Sequence, residues 1–261
     1  MNKEGNIGIF DSGIGGVTVF KEILKLLPNE NYIYYSDSKN NPYGDKNEKE
    51  IIEICEKIVK YFIENNCKMI IIACNTASAI ATKILREKYS EITIVAIEPA
   101  YKMVYDNEKE SNTLIMATKG TITSEKFNLL YNKYNNQKTT IIQCAGLADI
   151  IELNKKEEIK KYLIENISKF KGKVKNVVLG CTHYPLIKKE IKEILGEVKF
   201  FDGHQRLAIH VKEILEENDC LGTKKGSISF LDTSNEKQKE KRFYQILKEG
   251  DINWWRLLKI V

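Results

Sequence analysis

Short apolar runs alternate with longer amphipathic segments along almost the whole chain, and this alternation leaves few folds open. Ile7 to Phe10, Tyr32 to Tyr35, Met69 to Ala73, Ile92 to Ala96, Thr113 to Met116, Thr140 to Gln143, Val177 to Leu179, Val198 to Phe201 and Ile228 to Leu231 read as strands. Between them, Val17 to Leu27, Glu48 to Glu64, Ala77 to Lys88, Glu157 to Phe170, Pro185 to Leu195 and Leu207 to Glu217 carry apolar residues at helical period. Strands that are apolar throughout and separated by helices form parallel sheets covered on both faces. The fold class expected is therefore α/β, with ligands at the carboxyl ends of the strands.

Composition removes several functional classes. No apolar run approaches the roughly 18 residues that span a membrane. The segment before Ile7 lacks an apolar core of the signal-peptide type, so a cytoplasmic protein is expected. The net charge of +5 invites a nucleic-acid reading, but the distribution argues against it. Only Arg86, Arg206, Arg242 and Arg256 are arginines, and the lysines alternate with glutamates, as in Lys46-Asn47-Glu48-Lys49-Glu50. Such alternation marks solvated helix faces. The six cysteines, Cys55, Cys67, Cys74, Cys144, Cys181 and Cys220, contain no CxxC pair, so any chemistry is expected from free thiols rather than zinc or a redox couple.

Two strand ends resemble each other. Ile70-Ile71-Ile72-Ala73-Cys74-Asn75-Thr76 and Val177-Val178-Leu179-Gly180-Cys181-Thr182-His183 each give an apolar strand, a small residue, a cysteine, two polar residues and then a helix. Either cysteine alone is most simply a small buried hydrophobe. Two in matching positions, each at a helix start that would lower its pKa, point to paired thiols. The loop Asp11-Ser12-Gly13-Ile14-Gly15-Gly16 lacks the dinucleotide spacing and any GK[ST], so it is read as a tight turn presenting Asp11 and Ser12, or simply as a helix cap. Thr118-Lys119-Gly120-Thr121 either binds an anion or caps the next helix. His183 is a partner for Cys181 or a core histidine, and Glu152 is a helper or a solvated helix residue. Two thiols suit a reaction that removes a proton from one face of a carbon and returns one to the other, since a single base tends to restore the original hand. No motif calls for pyridoxal phosphate, nicotinamide or a metal.

These residues resemble glutamate racemases, of the aspartate/glutamate racemase superfamily. The resemblance is carried by Asp11 to Gly16, Pro42-Tyr43-Gly44, Ala73 to Ala79, Thr118 to Thr121 and Leu179 to Leu186, from residue 7 to about 210. It implies two flavodoxin-like domains with the active site in the cleft between them: residues 1–97 plus 207–261 carrying Cys74, and residues 98–206 carrying Cys181. It implies that Cys74 removes the proton from D-glutamate and Cys181 from L-glutamate, with Asp11 assisting Cys74, and His183 and Glu152 assisting Cys181. Asp11, Ser12, Pro42, Tyr43, Gly44, Asn75, Thr76, Thr118, Thr121, Thr182 and His183 match substrate-binding positions. No cofactor is implied; the partners implied are glutamate and a second copy of the chain in a homodimer, and D-glutamate would feed peptidoglycan synthesis. Two segments depart from the family's pattern, Cys144 to Asp149 and Asp202 to Arg206. Other readings stay open: an aspartate racemase, a decarboxylase of the same superfamily, a hydrolase using Cys181 and His183, or a two-lobed amino-acid-binding protein. Trp254-Trp255 are expected to pack internally or against another subunit.

Overall fold

In the computed structural model, which describes residues 2–98, 100–134, 137–249 and 259–260, the alternation resolves into two parallel sheets. The chain begins with β1 (Asn6–Asp11), α1 (Val17–Leu26), β2 (Asn31–Ser36), α2 (Glu48–Glu64), β3 (Cys67–Ile72), α3 (Asn75–Lys88) and β4 (Thr93–Ala96). It continues through α4 (Tyr101–Glu108), β5 (Thr113–Ala117), α5 (Lys119–Thr123), α6 (Glu125–Tyr134), β6 (Thr139–Gln143), α7 (Leu147–Glu152), α8 (Lys156–Ile167), β7 (Asn176–Gly180), α9 (Lys188–Leu195) and β8 (Lys199–Phe201). It ends with α10 (His204–Glu217), β9 (Ser227–Asp232), α11 (Lys237–Lys248) and β10 (Lys259–Ile260). Pro99 and the Trp254-Trp255 pair lie outside the described residues.

One sheet runs β10-β9-β2-β1-β3-β4 and the other β6-β5-β7-β8. Both ends of the chain therefore build the first sheet, because β9 pairs with β2 from Asn31↔Ser227 to Ser36↔Asp232. The middle of the chain builds the second. After β8, α10 already belongs to the first sheet: Leu207, Ala208, Val211 and Leu215 pack in one cluster with Val17, Phe20 and Leu24 of α1.

The central strands are largely apolar because both faces are covered. Ile7, Ile9, Met69 and Ile71 face that cluster, while Phe10, Ile70 and Ile72 face Ile51, Ile58 and Phe62 of α2 and Ala77, Ala81 and Leu85 of α3. The second sheet repeats the scheme. Leu114, Met116, Val177 and Leu179 pack against α8 and α9, and Ile115, Ala117 and Val178 against Tyr101, Val104 and Phe127 of α4 and α6. A one-residue slip would exchange the two faces of a strand, so register is firmly set. Asn47 starts α2 by accepting from the Glu50 N–H at 2.9 Å. The helix expected from Pro185 opens instead with a 3-10 turn over Tyr184–Ile187, and α9 begins at Lys188. Among the described residues no helix is long and apolar enough to cross a membrane.

A buried ion pair ties the first sheet to the returning chain. Lys68 Nζ meets Glu30 Oε2 at 2.7 Å with both side chains sealed from solvent, and donates to the carbonyls of Lys3 and Cys220. Glu30 also accepts from the Gly222 N–H. Removing one partner leaves an uncompensated buried charge. Lys68→Met is expected to cost about 3–5 kcal/mol of unfolding free energy, measured by urea denaturation; a cost under about 1 kcal/mol would show that the pair behaves as a surface contact.

Candidate active site

Each sheet has one place where the strand order reverses, and loops leaving such a point diverge to open a crevice. In the first sheet the chain leaves β1 for β2 on one side and returns to β3 on the other. Asp11 ends β1 and Ser12 follows it, and the turn from β3 into α3 holds Cys74-Asn75-Thr76. In the second sheet the reversal lies between β5 and β7, whose loops hold Thr118 and Cys181-Thr182-His183. The two crevices face each other. A single narrow cavity is lined by Ser12, Pro42, Tyr43, Gly44, Cys74, Asn75, Thr76, Thr118, Cys181, Thr182 and His183, among other residues.

Cys74 is the N-cap residue of α3, and its thiol donates to Ser12 Oγ at 3.9 Å. The helix start was expected to lower the thiol pKa. Instead burial pushes it up to about 12, reinforced by the charge of Asp11 and only partly offset by the Ala77 N–H. Desolvation outweighs the helix end here because the thiol sits almost wholly out of water. Cys181 is followed by a 3-10 turn, and its Sγ lies 3.7 Å from His183 Nδ1.

His183 Nε2 in turn meets Glu152 Oε2 at 2.6 Å, so that Cys181, His183 and Glu152 form one buried hydrogen-bonded series. Burial alone would push the imidazole pKa down, but its bonds to Cys181 and Glu152, and their charges, hold it well above the usual range. Glu152 is the converse. Burial works against its charge, yet His183, Lys239 and the Ile14 N–H keep it below the ordinary carboxylate value. Asp11 is fully buried and pushed up by desolvation, with His183 and the Gly16 and Gly13 N–H groups opposing. It accepts from the Thr182 hydroxyl at 3.1 Å, so this carboxyl on the Cys74 side also touches the Cys181 loop.

The glycine loop has a packing role that spacing alone could not reveal. A Cβ on Gly13 would come within 2.7 Å of the Glu152 carboxylate, and one on Gly15 within 2.5 Å of the His183 ring. The loop is bare so that this series from the other sheet can lie on it. The Ile14 N–H donates to Glu152 at 3.1 Å, and the Thr18 hydroxyl to the Thr182 carbonyl at 3.0 Å. Across the cleft, the Thr76 and Thr118 hydroxyls meet at 2.9 Å, and Asn41 donates to Asp149 at 3.1 Å.

The expected residues thus converge, in two layers. Asp11, Glu152 and Thr121 stand behind the cavity wall. Thr121 donates its N–H to Thr118 Oγ1, which caps α5. Glu152 is the last residue of α7, just after the segment that departs from the family's pattern, and is buried rather than solvated. Asn75 lines the cavity, and its buried Oδ1 has no hydrogen-bond partner among the described residues. Sequence reasoning missed Asn41, Asp149, Lys239 and Arg242. Nothing distinguishes those two cations among 41 lysines and arginines until the chain has folded.

The chain is similar to known proteins in both sequence and fold. The family model described as Asp/Glu/Hydantoin racemase matches residues 7–211. A glutamate racemase of Clostridium perfringens is 40% identical over 238 residues, covering 88% of this chain and 92% of its own. The structure is similar to that of the Francisella tularensis glutamate racemase in complex with D-glutamate (TM-score 0.78, 31% identity, 99% of this chain and 98% of that one). It is also similar to a glutamate racemase isoform from Bacillus anthracis (TM-score 0.82, 27% identity, 100% and 97%).

Proposed function

The chain belongs to the Asp/Glu/Hydantoin racemase family and stands with its glutamate racemases, and on that premise we propose that it interconverts L- and D-glutamate by two-base proton transfer at Cα. The observation that carries this reading is the pair of thiols, one from each sheet, on the wall of a single cavity, each with its own buried helpers. On the same reading the chain divides into residues 1–97 plus 207–261 and residues 98–206, and works as a cytoplasmic homodimer supplying D-glutamate for peptidoglycan.

The chemistry follows from the two environments. Cys74 keeps its proton at neutral pH, because burial holds it at about 12. Cys181 has a proton acceptor at 3.7 Å in His183, anchored by Glu152. With L-glutamate bound, the Cys181 proton passes to His183 and the thiolate takes the Cα proton. The electron pair stays on the substrate, delocalised into its carboxylate, and the Cys74 thiol delivers its proton to the opposite face. In reverse, Cys74 must lose a proton, and Asp11, made more basic by burial, is the nearby carboxyl suited to favour this. The free Asn75 Oδ1 suits the substrate ammonium, and the hydroxyls and N–H groups of Ser12, Thr76, Thr118 and Thr182 suit carboxylates.

Proton NMR in D₂O tests the reading. Dialysed, metal-free protein is expected to wash out the Cα proton of L-glutamate and to form D-glutamate, with L-aspartate exchanging far more slowly. A buried donor left unpaired by the shorter acid costs about 1–3 kcal/mol. Exchange favouring aspartate would make this an aspartate racemase. No exchange with either acid, or exchange only with an added cofactor, would sink the proposal.

A further inference from the structure

We propose that Lys239, on α11, is a positioning residue for the Cys181 side of the site: its ammonium group fixes the Glu152 carboxylate and opposes the charge that gathers on His183. The role in turnover rests on the racemase reading; the electrostatic coupling does not.

Glu152 divides its oxygens between two kinds of partner. Oε2 takes His183 Nε2 at 2.6 Å, and Oε1 faces Lys239 Nζ at 3.6 Å, while the Ile14 N–H lies within reach of both. Glu152 is nearly sealed from solvent, and the Lys239 side chain is only 16% exposed. Three residues along the helix from Lys239, Arg242 Nη2 donates to the Ile151 carbonyl at 3.1 Å. That carbonyl belongs to the last turn of α7 and also accepts from the Asn154 N–H at 3.0 Å. Two cations of α11 therefore dock on the end of α7, beside the carboxylate that holds His183. Both lie beyond residue 211, where the family match ends.

The charges around His183 explain what Lys239 does. Glu152 touches the imidazole from α7, and Asp11 and Asp149 act on it from β1 and α7. Cys181 adds a further negative charge when ionised. All of these favour the imidazolium. Against them, α11 supplies Lys239 and Arg242. When His183 is neutral, Glu152 is a buried carboxylate, and Lys239 is the cation at its free oxygen. Without Lys239 the carboxylate would be balanced chiefly by the imidazolium, so His183 would hold its proton more tightly and release it less readily during turnover.

The protein has three histidines, His183, His204 and His210, so their ring resonances are separable by NMR across a pH series. In Lys239→Met the His183 midpoint is expected to rise by on the order of one pH unit, from a unit charge several ångströms away at intermediate dielectric. His204 and His210 should titrate as in the wild type, which reports an intact fold. Lys239→Arg keeps the charge and should restore His183. A second reading is the primary deuterium effect on kcat/KM, which in Lys239→Met should change more with Cα-deuterated L-glutamate than with the D form. The titration is read without substrate, so it stands whether or not glutamate is the substrate. An unmoved His183 in Lys239→Met, or Lys239→Arg behaving like Lys239→Met, would overturn the proposal.

Discussion

Replacing either Cys74 or Cys181 by alanine is expected to abolish racemisation while glutamate still binds. The two thiols stand on opposite sheets at one cavity, and a complete turnover needs one to take a proton and the other to give one. With one gone, the carbanion can be reprotonated only from the face it came from. A positioned acid or base is worth roughly 10²–10⁴-fold, so each single variant should fall below about 1% of wild-type turnover, followed by polarimetry. The groups suited to hold substrate, Asn75, Thr76, Thr118 and Thr182, are untouched, so calorimetry should still detect binding. Either variant racemising above that level would refute the two-thiol mechanism.

Gly15→Ala is expected to be nearly as damaging, although it changes no reacting group. A Cβ there would sit 2.5 Å from His183 Nδ1, the atom that faces Cys181. The ring has little freedom to retreat, because Glu152 holds its other nitrogen at 2.6 Å and is itself held by the Ile14 N–H. Overpacking of this kind costs about 1–3 kcal/mol of stability. Displacing a catalytic group by about 1 Å costs on the order of 10²-fold in rate. Measuring kcat beside urea unfolding separates the two effects. Wild-type turnover in Gly15→Ala would show that the bare loop is not required by His183.

Much of this was legible in the residues themselves. The alternation of apolar runs and amphipathic stretches gives parallel α/β structure because a strand covered on both faces must be largely apolar; Cys67–Ile72 is buried throughout, and its one charge, Lys68, is paired with Glu30. The matched Cys74 and Cys181 segments mark the candidate site because a cysteine with polar followers at a strand end lies where such sheets bind ligands. Shorter elements such as α5 and α7 escaped the pattern, being too brief to show a period.

What the sequence by itself determined, then, was local: which residues form strands and helices, and which side chains stand at strand ends. Only the tertiary structure decided that β9 returns to pair with β2, that the two reversal points face each other, and that Gly13 and Gly15 make room for Glu152 and His183. It also decided the charge states. The Cys74 thiol rises to about 12 because burial beside Asp11 outweighs the helix end, and Lys239 reaches Glu152 from 87 residues further along the chain. Periodicity is a property of neighbours in sequence, whereas desolvation and Coulomb interactions depend on neighbours in space, and those are chosen only when the two sheets close on one another.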